Sequence, residues 1–312
     1  MTVAYIYHPD CLEHDMGIGH PERPRRVNTI EDQMLSSQLF DFVRHYEAPL
    51  ANKKNLVRAH DTKYVEKVLS YQNLQAGESE YLDPDTLITD KTPQAALRAA
   101  GAAVLATELV LDHKPKHKAV FCNVRPPGHH ATHNAAMGFC FFNNIAIAAT
   151  HAIHHYGLSR VAIVDFDVHH GNGTEDIFKN EKRVLFCSTF QHPFYPFSGA
   201  DTVSDHIINV PLPATTKSDK FREAIITHWL PELHKFKPEL VLISAGFDAH
   251  EEDEMGQFLL RDSDYTWVTK ELQLIADKYA NGRIISMLEG GYALPALGRS
   301  AVNHLRVLMR ML

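Results

Sequence analysis

The chain carries short runs of almost unbroken apolar residues, at 3–7, 119–124, 160–166, 184–189, 240–244 and 283–288. A strand with one solvated face alternates apolar and polar residues; a run that is apolar at nearly every position needs cover on both faces. Between the runs lie stretches of helical habit, at 92–111, 141–156, 220–234, 263–279 and 294–312. Strand-then-helix repetition places helices on both sides of a parallel sheet. The pattern predicts an α/β fold, a three-layer α/β/α domain with a central, mostly parallel sheet. No internal repeat, low-complexity tract or Pro/Ser-rich linker divides the chain, so a single domain over 1–312 is expected, although 312 residues would make two domains of ordinary size. In open parallel sheets reactive groups stand on loops beyond the carboxyl ends of the strands. The residues that follow each apolar run are therefore the informative ones.

Charge narrows the partners. Lys and Arg number 31 against 38 Asp and Glu, a net charge of −7, which argues against nucleic acid. The most apolar long stretch, 95–111, is interrupted by Arg98, Gly101 and Glu108. It reads as a core helix, and no membrane association is expected. The opening MTVAYIYHPD lacks the basic start and long apolar core of a secretory signal. Cys11, Cys122, Cys140 and Cys187 form no C-x-x-C pair and read as free thiols of a reducing compartment. A cytoplasmic location is the expectation, and the sequon Asn172-Gly173-Thr174 carries almost no weight. Histidine, at 21 residues, is the compositional outlier, and it is the commonest metal ligand and a proton shuttle near neutral pH.

After the run at 160–166 come Asp165, Asp167 and His169, spaced by two. In extended chain that spacing puts side chains on one face. A buried strand tolerates three ionisable groups in five residues poorly unless they serve a purpose; a solvated strand tip is the weaker reading. The run at 240–244 ends in Ala245-Gly246-Phe247-Asp248. Asp167, His169 and Asp248 make two oxygen ligands and one nitrogen ligand, the pattern of a catalytic zinc with an open position. His250 reads as a surface residue rather than a fourth ligand. After the run at 119–124 comes Arg125-Pro126-Pro127-Gly128-His129-His130, a stiff loop ending in two histidines suited to general base and acid work. Asp165 and Asn172 are the candidates to set their tautomers. His151, His154 and His155 share a helix face without an intervening Glu, and read as solvated. After the run at 283–288 comes Glu289-Gly290-Gly291-Tyr292, where the tyrosine hydroxyl could donate to a developing oxyanion. A packed aromatic is the plainer alternative for Tyr292.

In order along the chain, Gly19-His20-Pro21-Glu22-Arg23-Pro24, the 125–130 loop, Gly138-Phe139-Cys140-Phe141-Phe142-Asn143-Asn144, the 165–173 segment, Ala245-Gly246-Phe247-Asp248 and Glu289-Gly290-Gly291-Tyr292 resemble the histone deacetylase family. The likeness is closest to class II enzymes and bacterial histone deacetylase-like amidohydrolases, of arginase/deacetylase fold. It implies a zinc-dependent amidohydrolase that removes acetyl or related acyl groups from acyl-lysine-like amines, by attack of water activated at the metal, releasing acetate and free amine. Asp167, His169 and Asp248 would hold one catalytic zinc. His130 would be base and then acid, with His129 assisting electrostatically, Asp165 orienting His129 and Asn172 facing His130. Tyr292 would bind the substrate carbonyl. The resemblance also implies a structural potassium ion held by Asp165, Asp167, His169, Ser188 and Thr189. Phe139 and a residue of Phe194-Tyr195-Pro196, taken as Tyr195, would wall the tunnel, and Gly138 would offer its carbonyl to the substrate amide; core packing is the alternative for all three. Arg26 resembles an arginine near the acetate exit, with a surface helix arginine as the alternative.

Met255 stands where polyamine-selective relatives carry a glutamate, which argues against strict acetylpolyamine selectivity, although Glu254 shifts the local alignment. The acidic run 251–254 is a solvated loop or an anionic rim that attracts cations. The expected partner is an acetylated lysine peptide or protein, or a small acylated amine. The alternatives are an acetylpolyamine amidohydrolase, an arginase-like dimanganese hydrolase, disfavoured because Ala249-His250 follows Asp248 where a second aspartate would be needed, and a non-catalytic binder of acylated amines.

Overall fold

The computed structural model describes residues 2–312. Its strands are β1 (Ala4–Tyr7), β2 (Arg44–Glu47), β3 (Ser79–Asp83), β4 (Thr86–Thr89), β5 (Ala119–Cys122), β6 (Val161–Asp165), β7 (Val184–Gln191), β8 (Ile207–Leu212), β9 (Leu240–Ala245) and β10 (Ile284–Leu288). An eight-stranded sheet runs in the order β2-β1-β5-β10-β9-β6-β7-β8. Every ladder in it is parallel. β3 and β4 form a separate antiparallel hairpin.

The central strands explain the unbroken apolar runs. Val161 and Ile163 of β6, with Leu240 and Leu242 of β9, belong to the core on one face. Ala162 and Val164, with Val241 and Ile243, belong to the core on the other. Helices Thr92–Leu111 and Asn144–Tyr156 cover the first face, and Arg25–Ser36, Asp262–Tyr279 and Leu294–Leu308 the second. Thr92–Leu111 is long and apolar enough to cross a membrane, yet 72% of its most apolar window is buried within the protein. The three-layer architecture is therefore as the sequence predicts.

The edges depart from the prediction. β2 reads Arg-His-Tyr-Glu and is largely exposed, and β8 is only partly buried, so neither carries an apolar run. Pro211 sits in β8, where an edge strand tolerates a missing N–H donor. The helix expected at 141–156 begins only at Asn144, because the Asn143 side chain caps it by accepting the Ala146 N–H at 3.0 Å. The segment expected as one helix at 220–234 is Ser218–Ala224, a widened turn Ile225–Trp229, then Leu230–Phe236. Pro231 lacks a donor and its ring collides with the preceding turn, which widens to accept it.

Candidate active site

Adjacent parallel strands deliver their following loops side by side. β6 and β9 pair with Asp165 opposite Ser244, so Asp167 and Asp248, a few residues beyond, come together with His169. One ligand atom from each of the three lies within 4.8 Å of the others, and all are buried. The extended spacing expected of Asp165, Asp167 and His169 is corrected here. β6 ends at Asp165 and residues 167–169 bend, so Asp165 leaves the cluster and turns to His129. Asp167 accepts from the Gly290 N–H (2.8 Å) and from the His169 N–H and Nδ1 (2.9 and 3.0 Å). Asp248 Oδ1 accepts from the Val168 N–H at 2.9 Å, whereas its buried Oδ2 has no hydrogen-bond partner and faces His169 Nδ1 at 3.2 Å.

Close approach of backbone to these carboxylates demands glycine. A Cβ on Gly246 would stand 2.0 Å from Asp167 Oδ2, and one on Gly290 2.0 Å from Asp248 Oδ2. The electrostatics of the cluster call for a cation. Burial pushes the Asp248 carboxyl up, as does the Asp167 charge, to a pKa of about 7. Burial opposes charge on His169, but the two carboxylates outweigh it and raise its pKa to about 10. Two buried carboxylates, an imidazole nitrogen and an orphaned carboxylate oxygen fit a zinc ion with an open position. Among the described residues this is the one such group of three.

Above it stand the paired histidines, with ring centroids 4.0 Å apart. His129 Nδ1–H donates to Asp165 Oδ2 at 2.9 Å. His130 Nδ1–H donates to Asn172 Oδ1 at 2.8 Å, leaving Nε2 as the free nitrogen. Burial disfavours charge on both. On His129 the Asp165 and Asp167 carboxylates overcome it and lift the pKa to about 10. On His130 the neighbouring His129 and His169 add to burial and hold the ring well below the usual range. The two environments thus push the neighbouring rings in opposite directions. Glu289, at the end of β10 beside β5, fixes their loop by accepting the Gly128 and His129 N–H groups at 2.7 and 3.1 Å.

His130, His169, Gly138, Phe139, Tyr195, Met255 and Tyr292, all expected in the site, line one cavity of about 270 Å³. Phe194 lines it as well and stacks on His169 with ring centroids 5.6 Å apart, so both aromatics of that loop serve the wall. Asp85 and Glu254 reach it from the β3–β4 turn and from the acidic run. Arg26 is fully buried, which settles its alternatives against a surface helix position. It donates to the carbonyls of Gly291 (2.7 Å) and Glu289, and its guanidinium lies 4.7 Å from the Tyr292 ring centroid.

Asp165 and Ser188 are register partners on β6 and β7. Ser188 meets His170 Nδ1 at 3.3 Å, and the adjacent Thr189 Oγ1 is buried without a partner. Two sequence expectations fail. His151 is 4% exposed, close to Arg58 and Glu108, because its helix face packs inward; His154 and His155 are exposed as expected. His250 is 3% exposed, because its loop folds back and sets the ring 3.4 Å from Asp262.

The family model for the histone deacetylase domain matches residues 20–308. The chain belongs to the histone deacetylase family. A histone deacetylase-like amidohydrolase of Pseudomonas aeruginosa is 32% identical over 297 residues, covering 92% of this chain and 77% of its own. An uncharacterized protein of Synechocystis sp. is 37% identical over 314 residues, covering 98% and 99%. The crystal structure of the HDA15 HD domain superposes with a TM-score of 0.91 at 33% identity, covering 99% of this chain and 88% of that one. Membership in the histone deacetylase family supports an amide-hydrolysing, deacetylase-type activity.

The sequence reading missed residues that hold the site rather than line it. Glu22 and Arg125 are fully buried, and the Glu22 carboxylate takes both Arg125 Nε and Nη2 at 2.6 Å. Glu22 lies inside Gly19-His20-Pro21-Glu22-Arg23-Pro24, and Glu289 directly follows the apolar β10. For Arg125 and Glu289 the available signal was an ionisable residue just beyond a buried strand; Glu22, in the loop before helix Arg25–Ser36, carried no such local signal.

Proposed function

We propose that the protein is a zinc-dependent deacetylase acting on acyl-lysine-like amines. The observation that carries the reading is His130, its Nδ1 bonded to Asn172 Oδ1 at 2.8 Å and its ring lining the same cavity as His169 and Tyr292. Asp167, His169 and Asp248 would hold the zinc, which when bound polarises a carbonyl and acidifies water. His130 Nε2 takes a proton from the attacking water and returns it to the leaving amine. His129, held by Asp165 at 2.9 Å, assists electrostatically beside it. The Tyr292 hydroxyl donates to the carbonyl oxygen, and Arg26 steadies the backbone on which Tyr292 sits. Phe139, Phe194 and Tyr195 sheathe an alkyl stem and exclude water, and Gly138 offers its carbonyl to the scissile amide. A potassium ion held by Asp165, Asp167, His169, Ser188 and Thr189 belongs to the same proposal, supported by the orphaned Thr189 hydroxyl.

An acetylated polyamine is the second reading, favoured by the Asp85 and Glu254 carboxylates on the cavity wall. The test is acetate release by the zinc-loaded protein from acetyl-lysine peptides, acetylated polyamines and longer acyl-lysines, with potassium present. Turnover that follows zinc content is expected. A zinc-loaded protein that binds these ligands yet releases no acetate overturns the hydrolase and leaves the non-catalytic binder.

A further inference from the structure

A second cleft, of about 440 Å³, opens beside the tunnel and shares Glu254, Met255 and Tyr292 with it. Its remaining walls come from the 19–23 loop, from Glu252 and Asp253, and from Ala293, Leu294 and Pro295. The cleft is held by buried chemistry. The Asp253 carboxylate, 5% exposed, accepts the N–H groups of Tyr292 (2.6 Å), Ala293 (2.9 Å) and Met255 (3.0 Å), tying the acidic loop to the tyrosine segment. His20, on the cleft wall, sets its ring edge-on to Phe139 of the tunnel, with centroids 4.7 Å apart.

The charges of this cleft divide into those already satisfied and those left over. Asp253 is consumed by backbone N–H groups, and Glu252 pairs with Arg299 at 2.5 Å. Arg23 and Glu254 are exposed on its walls, and among the described residues neither makes an ion pair or a side-chain hydrogen bond. One cation and one anion thus border a cleft that adjoins the tunnel, and they do not neutralise each other. A ligand whose acylated stem occupies the tunnel would present its other end here.

We propose that this cleft binds the zwitterionic end of a free Nω-acylated diamino acid, its α-ammonium against Glu254 and its α-carboxylate against Arg23. The proposal rests on the acyl-amine reading above and names the substrate class for it. In a peptide interior both α-groups are locked in amide bonds and leave the two charges unanswered. An acetylated polyamine answers Glu254 but brings a second cation towards Arg23.

The experiment compares Nε-acetyl-lysine, its α-carboxamide and a monoacetylated α,ω-diamine on the full-length, zinc-loaded protein, by calorimetric Kd and by acetate release. The wild type should bind the carboxylate about fivefold more tightly than the carboxamide, the scale of one solvent-exposed ion pair. Arg23→Glu should invert that ratio and tighten the diamine. Glu254→Gln should weaken carboxylate and carboxamide alike, because both keep the α-ammonium. Both substitutions are on the surface, so folding is preserved, and circular dichroism checks it. Equal binding of carboxylate and carboxamide by the wild type, a ratio unmoved by Arg23→Glu, or no measurable binding of Nε-acetyl-lysine overturns the proposal. Absence of acetate release from every ligand overturns the hydrolase alone, since the binding ratio still decides the cleft.

Discussion

Glu22→Gln should destabilise the protein by about 3 kcal/mol at neutral pH, and the loss should shrink in acid. Glu22 is fully buried among charges: Arg125 grips it through two bonds of 2.6 Å, and Arg26 Nη1 reaches it at 3.1 Å. Burial opposes its ionisation, yet the Arg125 and Arg26 guanidiniums win and hold its pKa at about 2, against an ordinary 4.5. A difference of about 2.5 pH units corresponds to about 3 kcal/mol of stability carried by the ionised form. The estimate from mutational experience is similar, since removing one partner of a buried ion pair costs ~3–5 kcal/mol. The sign follows from the depressed pKa. The contribution is fully present above pH 4.5 and disappears as pH falls towards 2, because the unfolded chain then takes up the proton first.

At pH 3.5 about 2 kcal/mol should remain. The neutral amide of the variant has no such titration, so the gap between wild type and variant narrows with acid. Urea unfolding followed by circular dichroism at pH 7 and pH 3.5 measures it. A slope of about 3 kcal/mol per molar urea makes the neutral-pH loss a midpoint shift of about 1 M. A gap under 1 kcal/mol at pH 7, or one that widens in acid, would refute the reasoning that these guanidiniums depend on Glu22.

Tyr292→Phe should keep its zinc and lose turnover by about 10²–10³-fold, the scale of one oxyanion donor; metal analysis beside kinetics checks it, and unchanged turnover removes Tyr292 from the chemistry. Asp248→Ala should purify with little zinc, since one of the three proposed ligands is gone; full metal content strikes Asp248 from the set. Gly290→Ala should also lose metal although no ligand is altered, because its Cβ would fall 2.0 Å from Asp248 Oδ2 and 2.5 Å from Asp167 Oδ2. A Gly290→Ala protein with wild-type zinc affinity would show that the carboxylates can yield.

What the sequence discloses and what it hides divide along a physical line. The central strands announced themselves because both faces are buried, and the loops after β5, β6, β9 and β10 announced themselves because ionisable residues follow such runs only for a reason. β2 and β8 stayed silent because edge strands can be partly polar. His151 and His250 misled because a histidine's burial depends on what packs over it, which no local pattern states. The meeting of Glu22 with Arg125 and Arg26 was hidden for a different reason, although Arg26 itself was singled out by the resemblance. Separated by as many as 103 residues, they meet only after the sheet has assembled. From there Arg26 holds the carbonyls of Glu289 and Gly291, and Glu289 holds the histidine loop. One ionic cluster therefore links the stretch before the first large helix to the histidines and the tyrosine at once. A motif such as Gly19-His20-Pro21-Glu22-Arg23-Pro24 carries its information as a clamp on a site to which it contributes no reacting atom.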